Sequence, residues 1–570
     1  MYKKTVRING IPITDHVIVI PAQPSKTLQY AAEELKEHLD KAFEKDFSII
    51  TDEKPQNPAE ILIGSTNRYT APDDMDIEEY EIFADKGFLS LCGGGQRGTL
   101  YAVYAYLEEY IGWRWYAADT TVIRPEAAKD IYSGEKLRSK PFLEHREVLF
   151  WDPCHDPIFK VRSRLNASLP DAVAEKTGGT IAYCAFVHTL DRLIPHEIYF
   201  KDHPEYYALT KDGRQTTQPC LSNPDVLEIV TKNALELLKK SNKTFISISQ
   251  NDNCTYCECP ECKKTDEEEG SPAGTLLRFV NKVADAIAKE FPDVRVDTLA
   301  YQYTRALPKI TRPAPNVTIR LCSIECCFRH PIDDTTVQEN VKFCTDIKNW
   351  SSICDKLYIW DYCTNFKHYC MPQPNYDVLR RNMKFFADHN VKGMLSQGNY
   401  NGKGADLNEL KVYLLSKLQW NPYMSEAEYR YHMQNFLEGY YGDGWRYIKE
   451  YIDILLDDTY GIYFGCFVDQ NQLKNFLSHA DDVLAAFEKA REMAKTDWQK
   501  DHVYKSSLSV LNAKVSILCN KYKDTDKEKF QEAMDLKRKY LEGFFKFDLQ
   551  SCEWRKTAAT IDEELEIERM

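Results

Sequence analysis

Three apolar runs of β-type sequence each end in residues that could do chemistry. Each run is followed at once or within three residues by an acid: 245–249 by Asp252, 317–324 by Glu325 and 357–360 by Asp361. The carboxyl ends of parallel strands in an α/β barrel meet at one rim, where such barrels carry their catalytic groups. The pattern therefore predicts a shared site built on carboxylates.

Paired carboxyl groups are the tools of glycoside hydrolysis, in which one is protonated and the other charged. Glu325 stands among Ile324, Cys326 and Phe328, and such apolar surroundings would raise its pKa and suit a general acid. Asp361 could be the nucleophile or base, or could orient a substrate acetamide. One acid alone at a strand end is more often a cap or salt-bridge residue, but three on separate strands favour a shared site.

Amide, aromatic and imidazole side chains fall at the same predicted rim. Amides can bind hydroxyl and acetamide groups, and aromatic faces stack on sugar rings. For each residue alone, packing or a structural hydrogen bond is an equally common role. The substrate-binding candidates are His188, Gln250, Asn251, Asp252, Tyr301, Trp360, Asn365, Gln397, Asn399 and Tyr400.

A cysteine cluster follows Asp252 in a polar loop and consists of Cys254, Cys257, Cys259 and Cys262. Four thiolates can close a tetrahedral zinc site, which would be structural because no coordination position stays open. The Cys-x-Cys centre departs from the usual paired knuckles, so free or disulfide-bonded thiols are the alternative. No cofactor is expected for catalysis.

The elements that would position these residues predict an α/β fold in three parts. Residues 1–138 predict a small N-terminal α/β domain, 139–420 a (β/α)₈ barrel of the TIM type, and 421–570 an all-helical C-terminal domain. The barrel prediction rests on strand–helix alternation. Its eight candidate strands are 145–151, 164–167, 181–187, 245–249, 296–301, 317–322, 357–360 and 392–396.

Composition restricts the partners. The 570 residues carry a net charge of −14, which argues against nucleic acid or an anionic membrane as the main partner. No apolar stretch is long enough to span a bilayer. The first residues lack the apolar core of a signal peptide, and 18 cysteines are safest in a reducing compartment. We therefore expect a cytoplasmic protein, unless a leader precedes this sequence. The oligomeric state is not indicated.

Several motifs resemble known families. The segment 94–115 resembles the domain that precedes the barrel in hexosaminidase-like and α-glucuronidase-like enzymes. Between residues 15 and 455 the chain resembles the family called domain of unknown function 4838, which overlaps glycoside hydrolase family 163. The motifs that carry this resemblance are Phe186-Val-His-Thr, His203-Pro-Glu-Tyr-Tyr, Ser249-Gln-Asn-Asp, Gly270-Ser-Pro-Ala-Gly, Thr298-Leu-Ala-Tyr, Leu321-Cys-Ser-Ile-Glu-Cys, Tyr358-Ile-Trp-Asp-Tyr and Thr364-Asn-Phe.

The resemblance implies a retaining β-glycosidase that acts on N-acetylglucosamine-containing glycans or oligosaccharides, because the known activity of family 163 is endo-β-N-acetylglucosaminidase action on N-glycans. Glu325 would be the acid/base and Asp361 its partner, either as nucleophile or as holder of an acetamide nucleophile. One departure is Ser396, where we expect glutamate in many relatives; it implies a changed mechanism or a shifted specificity.

Two alternatives stay open. An exo-glycosidase or α-glucuronidase-like hydrolase would need a basic residue for a uronate, and the candidates are Arg146, Arg320 and Arg329. The second alternative is a catalytically inactive carbohydrate-binding barrel protein that lost its chemistry through Ser396. Fold alone does not decide between these functions.

Overall fold

The computed structural model describes residues 5–554. Its N-terminal part contains a six-stranded sheet in the order β10-β6-β7-β5-β3-β4, with helix α1 and helix α2 packed beside it. The elements of this part are β1 (Arg7–Ile8), β2 (Ile11–Pro12), β3 (Val17–Ile20), α1 (Lys26–Phe43), β4 (Ile49–Thr51), β5 (Glu60–Ile63), β6 (Tyr80–Asp85), β7 (Phe88–Gly93), α2 (Gly98–Tyr106), β8 (Trp113–Ala117), β9 (Thr120–Ile123) and β10 (Lys136–Ser139).

The middle of the chain builds a second six-stranded sheet, in which every pairing is parallel, in the order β11-β18-β17-β16-β15-β14. The first and last strands of this region are neighbours, so the sheet is curled. Its strands are β11 (His145–Leu149), β14 (Phe245–Ser247), β15 (Arg295–Ala300), β16 (Val317–Cys322), β17 (Leu357–Tyr362) and β18 (Val391–Gln397). A separate hairpin consists of β12 (Tyr207–Thr210) and β13 (Gly213–Pro219).

Helices connect the strands of the curled sheet, and several of them pack against its strands. In this part of the chain they are α3 (Trp151–His155), α4 (Pro157–Arg162), α5 (Asp171–Thr177), α6 (Leu190–Leu193), α7 (His196–Tyr199), α8 (Pro224–Lys239), α9 (Pro260–Glu269), α10 (Pro272–Glu290), α11 (Gln338–Ser351), α12 (Leu379–Asp388) and α13 (Asn408–Trp420). Helix α10 shows why they form: Ser271 caps it, Pro272 fits its first turn, and an apolar stripe from Leu276 to Ile287 is buried.

Two of the eight predicted strands, 164–167 and 181–187, are wrong as strands. They make only isolated parallel bridges, between Ala167 and Ile181 and between Tyr183 and Phe245. Positive φ angles at Arg164, Ser168, Val187 and His188 interrupt the extended backbone that a ladder needs. The structure thus confirms a mixed α/β fold with a curled parallel sheet, whereas a complete eight-stranded barrel is not confirmed.

The last part of the described chain is helical. It contains α14 (Glu426–Tyr441), α15 (Trp445–Asp458), α16 (Ala480–Met493), α17 (Asp497–Tyr522) and α18 (Lys527–Lys546). Helix α14 packs on α13, and the long α17 packs on α14, α16 and α18. The domain boundaries at residues 138 and 420 stay predictions. Between residues 5 and 554, no helix has the length and hydrophobicity to cross a membrane.

Candidate active site

An aromatic ledge lies at the carboxyl ends of the curled sheet and consists of Phe186, Trp360 and Tyr362. The Trp360 ring stacks on Phe186, with centroids 5.8 Å apart and 17° between the planes, and lies 6.4 Å from Tyr362. Its indole Nε1 donates a hydrogen bond to Oε1 of Gln397 on β18 at 2.7 Å. The ledge is therefore fixed across two neighbouring strands and offers the flat apolar surface that sugar rings stack on.

Polar groups fill the interior of the curled sheet below the ledge. Arg320 and Asp297 form a fully buried ion pair at 3.1 Å, and the Tyr183 hydroxyl donates to Asp297 and accepts from Arg320. His145 stacks on Tyr358, and burial, assisted by the charge of Arg320, lowers the pKa of His145 well below its ordinary value. These groups bind one another and form a fixed polar floor.

Glu325 follows β16 and is half-exposed, with 39% of its side chain accessible. Its Oε2 accepts a hydrogen bond from Nη1 of Arg305 at 2.7 Å, and Arg305 also contacts Asp346 at 2.7 Å. The Tyr463 hydroxyl donates to the backbone carbonyl of Glu325. The prediction of an apolar, desolvated environment for this carboxyl is therefore wrong, because the side chain is open to solvent and paired with a cation.

Asp361 lies at the end of β17 but on the other face of the strand from the ledge. Its neighbours Trp360 and Tyr362 both belong to the ledge, and successive strand residues point to opposite faces. Its carboxylate accepts a hydrogen bond from the Ser323 hydroxyl at 2.8 Å, and burial raises its pKa to about 6. The sequence predicted Asp361 as the catalytic partner of Glu325 at a shared site, whereas the structure encloses it under the turn that leads to Glu325.

Ser396 lies on the same hidden face. It pairs in register with Asp361, is fully buried, and accepts a hydrogen bond from Gln419 of α13 at 3.1 Å. The residue that departs from the expected family pattern therefore contacts the covering helix rather than the aromatic ledge.

Asp252 and Tyr301 bring a second carboxylate to the rim. Asp252 is exposed, and its Oδ1 accepts a hydrogen bond from the Tyr301 hydroxyl at 3.1 Å. Burial, with the charge of Asp252, raises the pKa of Tyr301, so the phenol stays protonated and donates. The ring of His188 lies 6.1 Å from that of Tyr301, and its Nδ1 donates to the Gln250 carbonyl at 2.8 Å. The positive φ of His188 marks a strained position that these contacts hold in place.

Four of the predicted amides hold the loops of the rim. Gln250 is fully buried and bonds to the backbone of Tyr301, Asn365 donates to the carbonyl of Val468, and the other two amides also bond to backbone groups. The partners of those two are Asp191 and Thr217 for Asn251, and Gly402 for Asn399. These amides therefore fix the loops, whereas Asp252, Tyr301, Trp360 and Gln397 stand at the rim itself.

A carboxylate that the sequence did not reveal, Glu553, also reaches this region. The segment 549–554 crosses the rim, where its backbone bonds to Lys403, Tyr369 and Phe366 at 2.8–2.9 Å. Burial raises the pKa of Glu553, a hydrogen bond from Tyr400 opposes this, and the charge of Asp252 adds to the rise. No local pattern marks Glu553, because it follows a helix rather than a strand and is placed only by long-range contacts.

None of the three arginines considered for a uronate lies free at the rim. Each is buried and bound to an acid: Arg146 to Glu78 at 2.7 Å, Arg320 to Asp297 at 3.1 Å, and Arg329 to Asp377 at 3.2 Å. The cation beside Glu325 is Arg305, which the sequence did not single out.

The structure replaces one member of the predicted cysteine cluster. Cys257, Cys259 and Cys262 lie together, but the fourth member is Cys220 at the end of β13. Cys254 does not join them, because its side chain is exposed and its thiol donates to Oε1 of Gln302 at 2.9 Å. Cys220 was missed because it is distant in the sequence and reaches the cluster only through the β12–β13 hairpin.

Comparison with known proteins finds solved structures and a protein family that match this chain. One solved structure, a GH115 4-O-methyl-α-glucuronidase with specificity for decorated arabinogalactans, matches with a TM-score of 0.60 and 12% identity over 95% of this chain and 77% of that chain. Another, a GH138 enzyme targeting pectin rhamnogalacturonan II, has a TM-score of 0.43 and 12% identity over 93% of this chain and 74% of that one. No curated protein matches this chain. The family described as "Domain of unknown function (DUF4838)" matches residues 115–453, from β8 to α15, and the chain belongs to this family.

Proposed function

We propose that this protein is a glycoside hydrolase whose active site is the rim between Glu325, Asp252 and the aromatic ledge. The observation that carries the proposal is that two accessible carboxylates, from the loops after β14 and β16, stand at the same end of the curled sheet as a fixed aromatic surface. Two carboxyl groups and a stacking platform are what the cleavage of a glycosidic bond requires. The fold likeness to an α-glucuronidase supports the same class.

In this proposal Glu325 is the acid/base, and the second carboxylate is Asp252. The Tyr301 hydroxyl fixes the orientation of Asp252. Both possible roles of this carboxylate, as nucleophile or as the residue that positions a substrate acetamide, require a fixed orientation. Arg305 neutralises Glu325 in the free protein. When substrate binds, the leaving-group oxygen would replace Arg305 as the partner of Glu325. Without its cation, the accessible carboxylate would take up a proton from solvent and then donate it to that oxygen.

Asp361 is a positioning residue in this scheme. Its hydrogen bond from Ser323 fixes the turn that leads to Glu325, and the Ser323 carbonyl accepts from the backbone of Cys326 at 2.9 Å. An enclosed carboxylate on the far face of β17 has no route to a glycosidic oxygen above the ledge. We assign to it the support of Glu325 rather than contact with substrate.

The finer assignment is a retaining β-glycosidase that acts on N-acetylglucosamine-containing glycans. It is supported by the motifs that resemble glycoside hydrolase family 163. The same proposal includes a closed (β/α)₈ barrel, in which the bridged segments around residues 167 and 181–183 take the places of the second and third strands. Backbone bonds from Asn166 to Arg146 and from Cys184 to Phe245 support this arrangement.

The test is turnover of aryl β-N-acetylglucosaminides, β-hexosides, α-glucuronides and a chitobiose-core glycan by wild-type protein and Glu325→Gln. We expect one class to be cleaved and the variant to lose about 100-fold or more of kcat/KM, the usual range for a general acid/base. The matched control is Glu290→Gln, because Glu290 is similarly exposed and is paired with Lys239 at 2.9 Å far from the rim. Full activity in both variants would overturn the site assignment.

An α-glucuronidase-like function is the second candidate, since the fold likeness is to such an enzyme and Arg305 could receive a uronate. Cleavage of the α-glucuronide alone would support it. If the wild-type protein and both variants bind sugar but cleave none of the substrates, the carbohydrate-binding alternative is supported. The configuration of the first product, followed by NMR, separates retention from inversion.

A further inference from the structure

Four buried sulfur atoms lie together beside the loop that carries Asp252. The Sγ atoms of Cys220, Cys257, Cys259 and Cys262 are all within 4.8 Å of one another. Cys220 Sγ is 3.7 Å from that of Cys259 and 3.9 Å from that of Cys262. Four thiolates around zinc, with bonds of about 2.3 Å, place their sulfur atoms about 3.8 Å apart. A disulfide would need about 2.05 Å, so the spacing is that of metal ligands.

The cluster joins three pieces of the chain that otherwise lie at the surface. Cys220 directly follows β13, Cys257 lies in the loop after β14, and Cys259 and Cys262 stand at the start of α9. Cys259 is the residue before the first turn of α9, and Pro260 occupies the first helical position. Thiolates are favoured at the start of a helix, because the backbone N–H groups there carry partial positive charge.

Hydrogen-bond donors surround the sulfur atoms. The backbone N–H of Leu209 donates to Cys257 Sγ at 3.3 Å, and that of Cys262 donates to Cys259 Sγ at 3.5 Å. The Ser222 hydroxyl lies 3.2–3.4 Å from three of the sulfur atoms. Metal-bound thiolates are typically fixed by such outer contacts, which orient the ligands and spread their charge.

We propose that Cys220, Cys257, Cys259 and Cys262 bind one structural zinc ion. The set is all-thiolate and nearly closed to solvent, which suits zinc rather than a hard cation. Four protein ligands leave no position for water or substrate, so the ion supplies no chemistry to the reaction. Cys254 is not a ligand.

The zinc would fix the loop of Asp252 through the β12–β13 hairpin. Gln218, two residues before Cys220, donates to the Asn251 carbonyl at 2.8 Å and accepts from its N–H at 2.9 Å. The Thr217 carbonyl accepts from the side chains of Asn251 and Asn253 at 3.0 and 2.9 Å. Asp252 therefore lies between two residues tied to the hairpin. This consequence rests on the proposed function, whereas the metal binding does not.

The test compares the zinc content of full-length protein with that of Cys220→Ser and Cys254→Ser, measured by inductively coupled plasma mass spectrometry after purification without chelators. We expect one zinc per chain in wild-type protein and in Cys254→Ser, and loss of zinc from Cys220→Ser. Loss from Cys254→Ser with retention in Cys220→Ser would overturn the ligand set. Because this readout does not involve turnover, it is independent of whether the protein is a glycosidase.

A second measurement covers the case in which Cys220→Ser fails to fold. Reduced wild-type protein, stripped of metal, is titrated with Co(II), and the strong ligand-field and sulfur-to-cobalt absorption of a tetrahedral tetrathiolate is expected to saturate at one equivalent. Excess Zn(II) should abolish this absorption. Absence of the Co(II) spectrum, or the finding of two disulfides among these cysteines by mass spectrometry of non-reduced protein, would refute the zinc site.

Discussion

Replacing Asp361 by asparagine should change how the stability of the protein depends on pH, while most of the turnover is kept. The ordinary pKa of an aspartate is 3.8, and burial raises that of Asp361 to about 6. Between these values the folded protein keeps a proton that the unfolded chain has lost. The free energy of unfolding of the wild-type protein therefore falls as the pH rises through this window.

The size of the effect follows from the shift. The difference of about two between the folded and unfolded pKa values corresponds to about 3 kcal/mol of unfolding free energy in total. About half of this loss of stability occurs between pH 5 and pH 8. An asparagine side chain cannot ionise but can still accept from Ser323, so Asp361→Asn should gain about 1–1.5 kcal/mol relative to wild-type protein over that range. Any constant cost of a buried, unpaired amide N–H cancels, because only the change of the difference with pH is used.

The assay is urea unfolding of both proteins at several pH values, with turnover measured on the same samples. The control is Asp355→Asn, which makes the same substitution at an exposed position just before β17. We expect Asp361→Asn to keep a kcat well above that of Glu325→Gln. A stability difference that does not change with pH, or a loss of turnover equal to that of Glu325→Gln, would refute the placement of Asp361 outside the chemistry.

Three further outcomes are expected. Tyr301→Phe removes the donor that orients Asp252, and a hydrogen bond to a charged group implies a loss of about 10- to 100-fold in kcat, measured by steady-state kinetics. Trp360→Phe keeps a stacking face but loses the indole hydrogen bond, so KM should rise by about 2- to 10-fold while kcat changes less. Asp297→Asn leaves Arg320 charged and buried without its ionic partner, which should cost about 3–5 kcal/mol in urea unfolding. An unchanged kcat, an unchanged KM or an unchanged unfolding midpoint, respectively, would contradict each argument.

Much of the fold could be predicted because its strands are long apolar runs with local signals. The runs that became β11 and β14–β18 form the curled sheet in the predicted parallel arrangement. The segments 164–167 and 181–187 were wrongly predicted as strands because their residues favour extended backbone. The left-handed backbone at Arg164 and His188 breaks the hydrogen-bond ladder there. Backbone angles of this kind are set by tertiary contacts, which a single sequence does not display.

The site was less predictable than the sheet. The sequence placed Asp361 at the right strand end, but the face of a strand that points to the rim depends on register, and a one-residue change reverses it. The choice of Cys254 followed nearness in sequence, whereas Cys220 arrives through a hairpin from another part of the chain. Glu553 likewise depends on a segment that returns across the rim after helix α18.

That returning segment has a consequence for how the protein is made. The curled sheet is complete once β18 has been synthesised, but the strip 549–554 can bond to Lys403, Tyr369 and Phe366 only after the long helices α14–α18 have left the ribosome. Until then, a nascent chain would carry Glu325, Asp252 and the aromatic ledge on a rim that this strip does not yet cross. The strip that crosses the rim is translated well after the sheet, so the rim is completed only when the helical part of the chain has followed.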